Sequence, residues 1–150
     1  MYTKESEAQL LNDLILINND RVEGYQKAME QLKEEDAALK EMFQNRVNQS
    51  IRLRSELKEK VVEIGSKVVS GTTNSGKLYR VWMDVKAYFG GADREKTLDN
   101  CEVGEEAAIL AYKRALSTGR LSDEVYPLVN SHYAELKVSL SKLIGLRNTK

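Results

Sequence analysis

The chain has 150 residues, 41% hydrophobic and 31% charged, which suits one globular domain over 1–150 burying roughly 70% of its unfolded surface. Lys plus Arg equals Asp plus Glu at 23 each, and this balance lacks the basic footprint that nucleic-acid backbones require. A single cysteine rules out an internal disulfide and fits a reducing compartment, and no apolar run approaches the roughly 18 residues that cross a bilayer. The N-terminal MYTKESEAQLLNDL holds no apolar signal core, so the expectation is a cytoplasmic protein with no membrane and no nucleic-acid partner.

Apolar residues recur at three and four almost throughout, the mark of helices. Helix one is predicted from about Ser6 to Lys33, with Leu11, Leu14, Asn18, Arg21, Tyr25, Ala28 and Leu32 facing inward. Helix two is predicted from about Glu35 to Ser66, with Leu39, Phe43, Arg46, Ser50, Leu53, Leu57, Val61 and Ile64 inward. KEEDAALKE, 33–41, reads as a solvated turn and helix start. SGTTNSG, 70–76, reads as loop, and KLYRVWMDVKAYF after it as a short amphipathic helix closed by Gly90 and Gly91. A third long helix is expected from about Asp93 to Ser117, stopping at Gly119. Ser122, followed by Asp123 and Glu124, is expected to cap a last helix reaching about Leu146, with Pro127 tolerated only near its first turn.

Two long helices, an extended connection carrying a short helix, then two more long helices make an all-α pattern. Its best fit is a ferritin-like four-helix bundle, because an up-down bundle needs only short loops and a three-helix bundle leaves one periodic segment over.

The chemistry turns on one oddity. Leu98, Glu105 and Tyr112 are spaced by seven and interleave with Glu102, Ile109 and Leu116, so the third helix places Glu105, and at the edge Glu102, on its inward stripe. A di-iron site in this fold takes two Glu-x-x-His pairs, and a chain whose one histidine is His132 does not supply them. Val129-x-x-His132 stands where such a pair would be, on a face shared with Val125, Leu136 and Leu143. Two alternatives follow. Glu105 and His132, with Glu102 as a third candidate, could hold one weakly bound divalent ion. The favoured reading has no cofactor: a buried polar network of Asn18, Arg21, Arg46, Glu105 and His132, in which charges neutralise one another.

Three further signals carry less. GTTNSGKL matches the phosphate-cradling pattern through Gly71, Gly76 and Lys77. Leu78 stands where a magnesium ligand belongs, and no strand precedes the loop, so it is read as a decoy. Cys101 shares a small-residue stripe with Gly104, Ala108, Ala111 and Ala115 and reads as an inert buried thiol. Tyr79, Trp82, Met83, Tyr88 and Phe89 make the connecting helix aromatic, either packed over the bundle or presented to a partner.

LLNDLILINNDRVEGYQKAME, KLYRVWMDVK and LDNCEVGEEAAILAYKRAL carry a resemblance, in Gly24-Tyr25, in Arg80 and Trp82, and in the run Glu102, Gly104, Glu105, Glu106. Through them most of the chain resembles an uncharacterised bacterial family of ferritin-like four-helix-bundle proteins, a domain of unknown function. The resemblance implies that fold without an established reaction, and the missing Glu-x-x-His pairs leave no basis for iron oxidation. The expected function is that of a non-enzymatic bacterial bundle, stress-related in one version, acting through protein contacts and self-association.

Overall fold

The computed structural model describes residues 2–32, 36–69 and 94–148. Among them are four α-helices and no strand: α1 (Lys4–Glu30), α2 (Ala37–Glu63), α3 (Arg94–Ser117) and α4 (Tyr126–Asn148). No helix among the described residues is long and apolar enough to cross a membrane. The short helix expected after residue 76, its aromatic side chains, and Gly71, Gly76 and Lys77 lie outside the described residues.

α2 begins at Ala37, two residues after the expected Glu35, and two other helix starts differ from the sequence reading for a visible reason. α1 begins at Lys4, not Ser6, because Thr3 is the cap: its hydroxyl accepts the Ser6 N–H at 3.0 Å, while the Ser6 hydroxyl accepts the Thr3 N–H at 3.2 Å. Ser6 is thus the reciprocal partner in a capping box, not the start. α4 begins at Tyr126, four residues past Ser122. Ser122 does terminate the chain's turn, its carbonyl accepting the Tyr126 N–H at 2.9 Å and its hydroxyl accepting the Val125 N–H at 3.3 Å. Pro127 has no N–H to continue a ladder begun there, so it falls in the first turn of the regular helix. Past the end of α2 at Glu63, Gly65 has a φ of +83°, which lets the Ser66 N–H reach back to the Val61 carbonyl at 3.1 Å.

Side-chain bonds fix the helix directions. Along α1, Asn12 meets Lys67, Asn19 meets Arg54 and Arg21 meets Ser50, so α1 and α2 are antiparallel. Asn18 meets Tyr112 and Arg21 meets Glu105, so α1 and α3 are antiparallel as well. Arg46 meets Ser139 and Glu56 meets His132, which sets α2 against α4 in the same sense. α2 and α3 therefore run in one direction. The end of α2 and the beginning of α3 lie at opposite ends of the bundle, about 40 Å apart for a helix of 27 residues. Arg94 accordingly sits 3.7 Å from Asp36, at the start of α2.

Helix α1 is the inner element. No residue from Leu14 to Tyr25 is exposed. The core divides into two apolar ends. One joins Leu11, Leu14 and Ile15 to Leu53, Leu57, Ala108 and Val129. The other joins Tyr25, Leu32, Phe43 and Val47 to Leu98, Cys101 and Leu143, with the Tyr25 and Phe43 rings tilted at 53° and 5.2 Å apart. Between them lies a polar waist. At the first end, buried Glu7 accepts from the Ser122 N–H and from the Tyr2 hydroxyl, tying the α3–α4 turn to the start of α1.

Candidate functional site

Among the described residues, the waist is the one level at which all four helices send polar side chains inward. Asn18 and Arg21 come from α1, Arg46 and Ser50 from α2, Glu105 from α3, and His132 and Ser139 from α4, and all seven are buried. Each stands at a seam position of its helix, which the three-and-four spacing points at the bundle axis.

One half of the waist is charged. Arg21 donates from Nε and Nη2 to the two carboxylate oxygens of Glu105, the second at 3.1 Å. Its Nη1 donates to the Ser50 hydroxyl at 2.8 Å, and its guanidinium carbon lies 5.4 Å from the centre of the Tyr25 ring. Both charged groups are shut away, at 1% and 0% exposure. Burial pulls the Arg21 pKa down, and the Glu105 carboxylate more than reverses this, leaving it raised. Paired in this bidentate geometry, the two charges satisfy one another in a medium where either alone would be expensive. Burial pushes the nearby Tyr25 phenol and Cys101 thiol well up, so both stay protonated and the thiol is unreactive.

The other half is uncharged in its interior. The Asn18 amide nitrogen donates to the Tyr112 hydroxyl at 2.9 Å and to the Leu14 carbonyl at 2.9 Å. The Tyr112 oxygen lies 3.0 Å from Nδ1 of His132, whose Nε2 lies 2.7 Å from the Glu56 carboxylate. Glu56 is ion-paired to Arg52 at 3.3 Å, and Arg52 in turn to Glu135. Burial lowers the His132 imidazole below its ordinary value, opposed in part by Glu56. Burial raises the Tyr112 phenol. Burial would raise Glu56, but the His132 hydrogen bond and Arg52 outweigh it and hold the carboxyl below its usual range. A carboxylate accepts only, so Nε2 carries the ring proton and Nδ1 presents its lone pair to the phenol.

Arg46 belongs to neither half. Its Nη1 and Nη2 donate to the Ser139 hydroxyl at 2.8 Å and the Ser139 carbonyl at 3.2 Å, and Ser139 donates onward to Gln49 at 3.2 Å. Its Nε, like the Asn18 side-chain oxygen, finds no partner.

The residues expected to share one network are thus brought to one level but parted into three sets, with Arg46 on Ser139 apart from the other two. Arg21 takes Glu105, while His132 takes Tyr112 and Glu56. The two side chains considered as a metal pair each have both polar atoms engaged by other groups. Glu102, the third metal candidate, is half-buried on α3, one turn before Glu105. Among the described residues no three His, Cys, Asp or Glu side chains gather as a metal site. The sequence reading missed Glu56 and the roles of Tyr112 and Ser139. A signal was there: Gln49, Arg52 and Glu56 repeat at three and four on α2, opposite His132, Glu135 and Ser139 on α4. The α2 stripe flanks the seam, and the two stripes bridge α2 and α4, which approach less closely than the other neighbouring helices.

One protein family, described as a domain of unknown function (DUF2383), matches residues 6–118, three quarters of the chain. The chain belongs to the DUF2383 family. That DUF2383 match takes in α1, α2 and α3, and with them Asn18, Arg21, Ser50, Glu56, Glu105 and Tyr112. It ends before α4, which brings His132 and Ser139 to the waist. No curated protein matches the chain.

Proposed function

We propose that this DUF2383 chain is a bacterial, cytoplasmic, ferritin-like bundle without enzymatic activity, acting through protein contacts that include a second copy of itself. The observation that carries this reading is the Arg21–Glu105 pair. An internal guanidinium takes both oxygens of the buried acid at the level where a ferritin-like bundle would seat its metals. A guanidinium that is part of the chain already neutralises that carboxylate and takes one lone pair of each oxygen, so a metal would have to compete with a buried ion pair. The parallel run of α2 and α3 supports the ferritin-like topology, since a connection between them has to return along the whole bundle. Self-association draws support from the outer face of α3, where Val103 and Leu110, seven residues apart, are 48% and 44% exposed.

Two measurements on protein purified without chelator test this together. Elemental analysis is expected to find no stoichiometric iron, manganese or zinc, and light scattering is expected to find an oligomer that Val103→Lys with Leu110→Lys converts to monomer. One equivalent of metal, lost in both Glu105→Ala and His132→Ala, would replace this reading with a single-metal protein. A wild-type monomer at all concentrations would remove the self-association.

A further inference from the structure

We infer, on the footing of the self-association proposed above, that two copies of this chain pair through the outer face of α3 as a two-fold, antiparallel helix pair in which Asp99 of each copy meets Arg114 of the other. That face is centred on Val103 and Leu110, 48% and 44% exposed. The opposite face, with Gly104, Glu105, Ala108 and Tyr112, is buried inside the bundle. Helical spacing brings six more residues to within about 50° of the line through Val103 and Leu110, and none of the six is buried. Turned end for end, this stripe falls on itself. Val103 of one copy meets Leu110 of the other, Asp99 meets Arg114, Lys96 meets Ser117 and Glu106 meets Ala107. A surface that is its own complement is what a two-fold contact requires.

Charge chooses the direction. A parallel pairing sets Asp99 against Asp99, Glu106 against Glu106 and Arg114 against Arg114, like charges throughout. The antiparallel pairing sets Asp99 against Arg114 twice, once on each side of a shared apolar centre, and leaves each Glu106 at the rim beside a small Ala107. Acids early and bases late also suit the dipole of a single helix, but the dipole asks nothing of the angle at which they stand. Asp99 and Arg114 stand on the face of Val103 and Leu110, one turn outside each, and it is this placement that lets a second copy answer both charges. A contact one helix wide lies at the small end of protein interfaces, so the pair is expected to dissociate on dilution.

Sedimentation equilibrium on the intact chain tests this with two exposed substitutions, Asp99→Arg and Arg114→Asp. Each alone turns two attractions into two repulsions and is expected to loosen the dimer about tenfold. Mixed in equal amounts, the two variants put opposite charges together at both contacts, and a one-to-one heterodimer is expected within about threefold of the wild-type affinity. Oxidative cross-linking gives a second reading that holds if a charge variant does not fold. Val103→Cys mixed with Leu110→Cys is expected to form a disulfide between copies about tenfold faster than either alone, because antiparallel pairing keeps like positions about 10 Å apart along the axis. Buried Cys101 stays out of that reaction. A wild-type dimer that both charge variants leave intact, a mixture no tighter than its parts, or equal cross-linking in either cysteine variant alone would each overturn the antiparallel pairing while self-association stands. A wild-type monomer at all concentrations would remove both.

Discussion

The two halves of the waist solve one problem in opposite ways. Both place polar groups between apolar ends of a helical bundle, where unsatisfied hydrogen bonds are costly. The Arg21–Glu105 half keeps full charges and closes on itself, with no member reaching solvent. The Asn18–Tyr112–His132 half keeps its interior neutral and passes its polarity outward, donor to acceptor, until the charge stands at half-exposed Glu56. Closed charge makes a structural element whose hydrogen bonds end inside the core. An open neutral chain makes one that senses protons outside. The contrast teaches that burial alone does not decide whether a polar layer is inert; the end point of its hydrogen bonds does.

Breaking the closed half should have the largest effect. Glu105→Ala leaves Arg21 charged and buried with only Ser50 and the Arg46 carbonyl to satisfy it. The expected loss is about 3–5 kcal/mol in urea unfolding at neutral pH. The counterpart sharpens the point. Arg21→Met combined with Glu105→Leu removes both charges and fills the space, and is expected to be neutral or to raise stability by about 1–4 kcal/mol. If the double substitution costs as much as Glu105→Ala, the pair contributes net stability and is not merely a self-cancelling one.

Breaking the neutral half should cost less. Tyr112→Phe keeps the ring, which packs edge-on at 5.8 Å from the His132 ring, and removes only the hydroxyl. The Asn18 amide keeps its bond to the Leu14 carbonyl, while His132 Nδ1 loses its donor. The expected cost is about 1–3 kcal/mol, read in the same unfolding assay. A loss equal to that of Glu105→Ala would mean that the neutral chain holds the bundle as firmly as the ion pair does.

These halves were unequally legible in the sequence. Seam positions of all four helices follow from three-and-four spacing, and Asn18, Arg21, Arg46, Glu105 and His132 are all buried where that spacing points. That Glu105 needs a cation, and that Arg21 and Arg46 are the inward cations, also follows from spacing and the cost of burying charge. The pairing within the layer does not follow. Arg21 reaches Glu105 and Arg46 reaches Ser139 because of the axial level of each residue, and level depends on where each helix begins. Those starts rest on cap geometry, on Thr3 for α1 and on Pro127 for α4. Glu56 escaped notice because it lies beside the seam. It becomes a partner only because α2 and α4 stand far enough apart for long side chains to fill the gap.

The smallest effect, and the one that separates the halves most cleanly, is their response to acid. His132 has its pKa lowered in the folded protein by burial, against an ordinary value of 6.5. Tyr112, Glu56, Glu135 and Arg52 surround it, and Glu56 opposes the shift without cancelling it. As pH falls below about 6.5, the unfolded chain takes up a proton at this position before the folded chain does. The unfolded state then binds more protons, so stability falls with falling pH over the interval between that value and the lowered folded one. Glu56, itself held low, loses its stabilising contribution in the same direction but only as pH drops through the carboxylate range. Unfolding free energy is therefore expected to be level between about pH 7 and 8 and to decline from about pH 6.5 downward. His132→Gln, which has no proton to gain, should be less stable at neutral pH yet lack the first part of the decline. Arg21→Met with Glu105→Leu should retain the decline in full, because that pair does not touch the histidine. A His132→Gln protein with the wild-type slope between pH 5 and 7 would assign the acid response to carboxylates alone, and both halves of the waist would then count as closed.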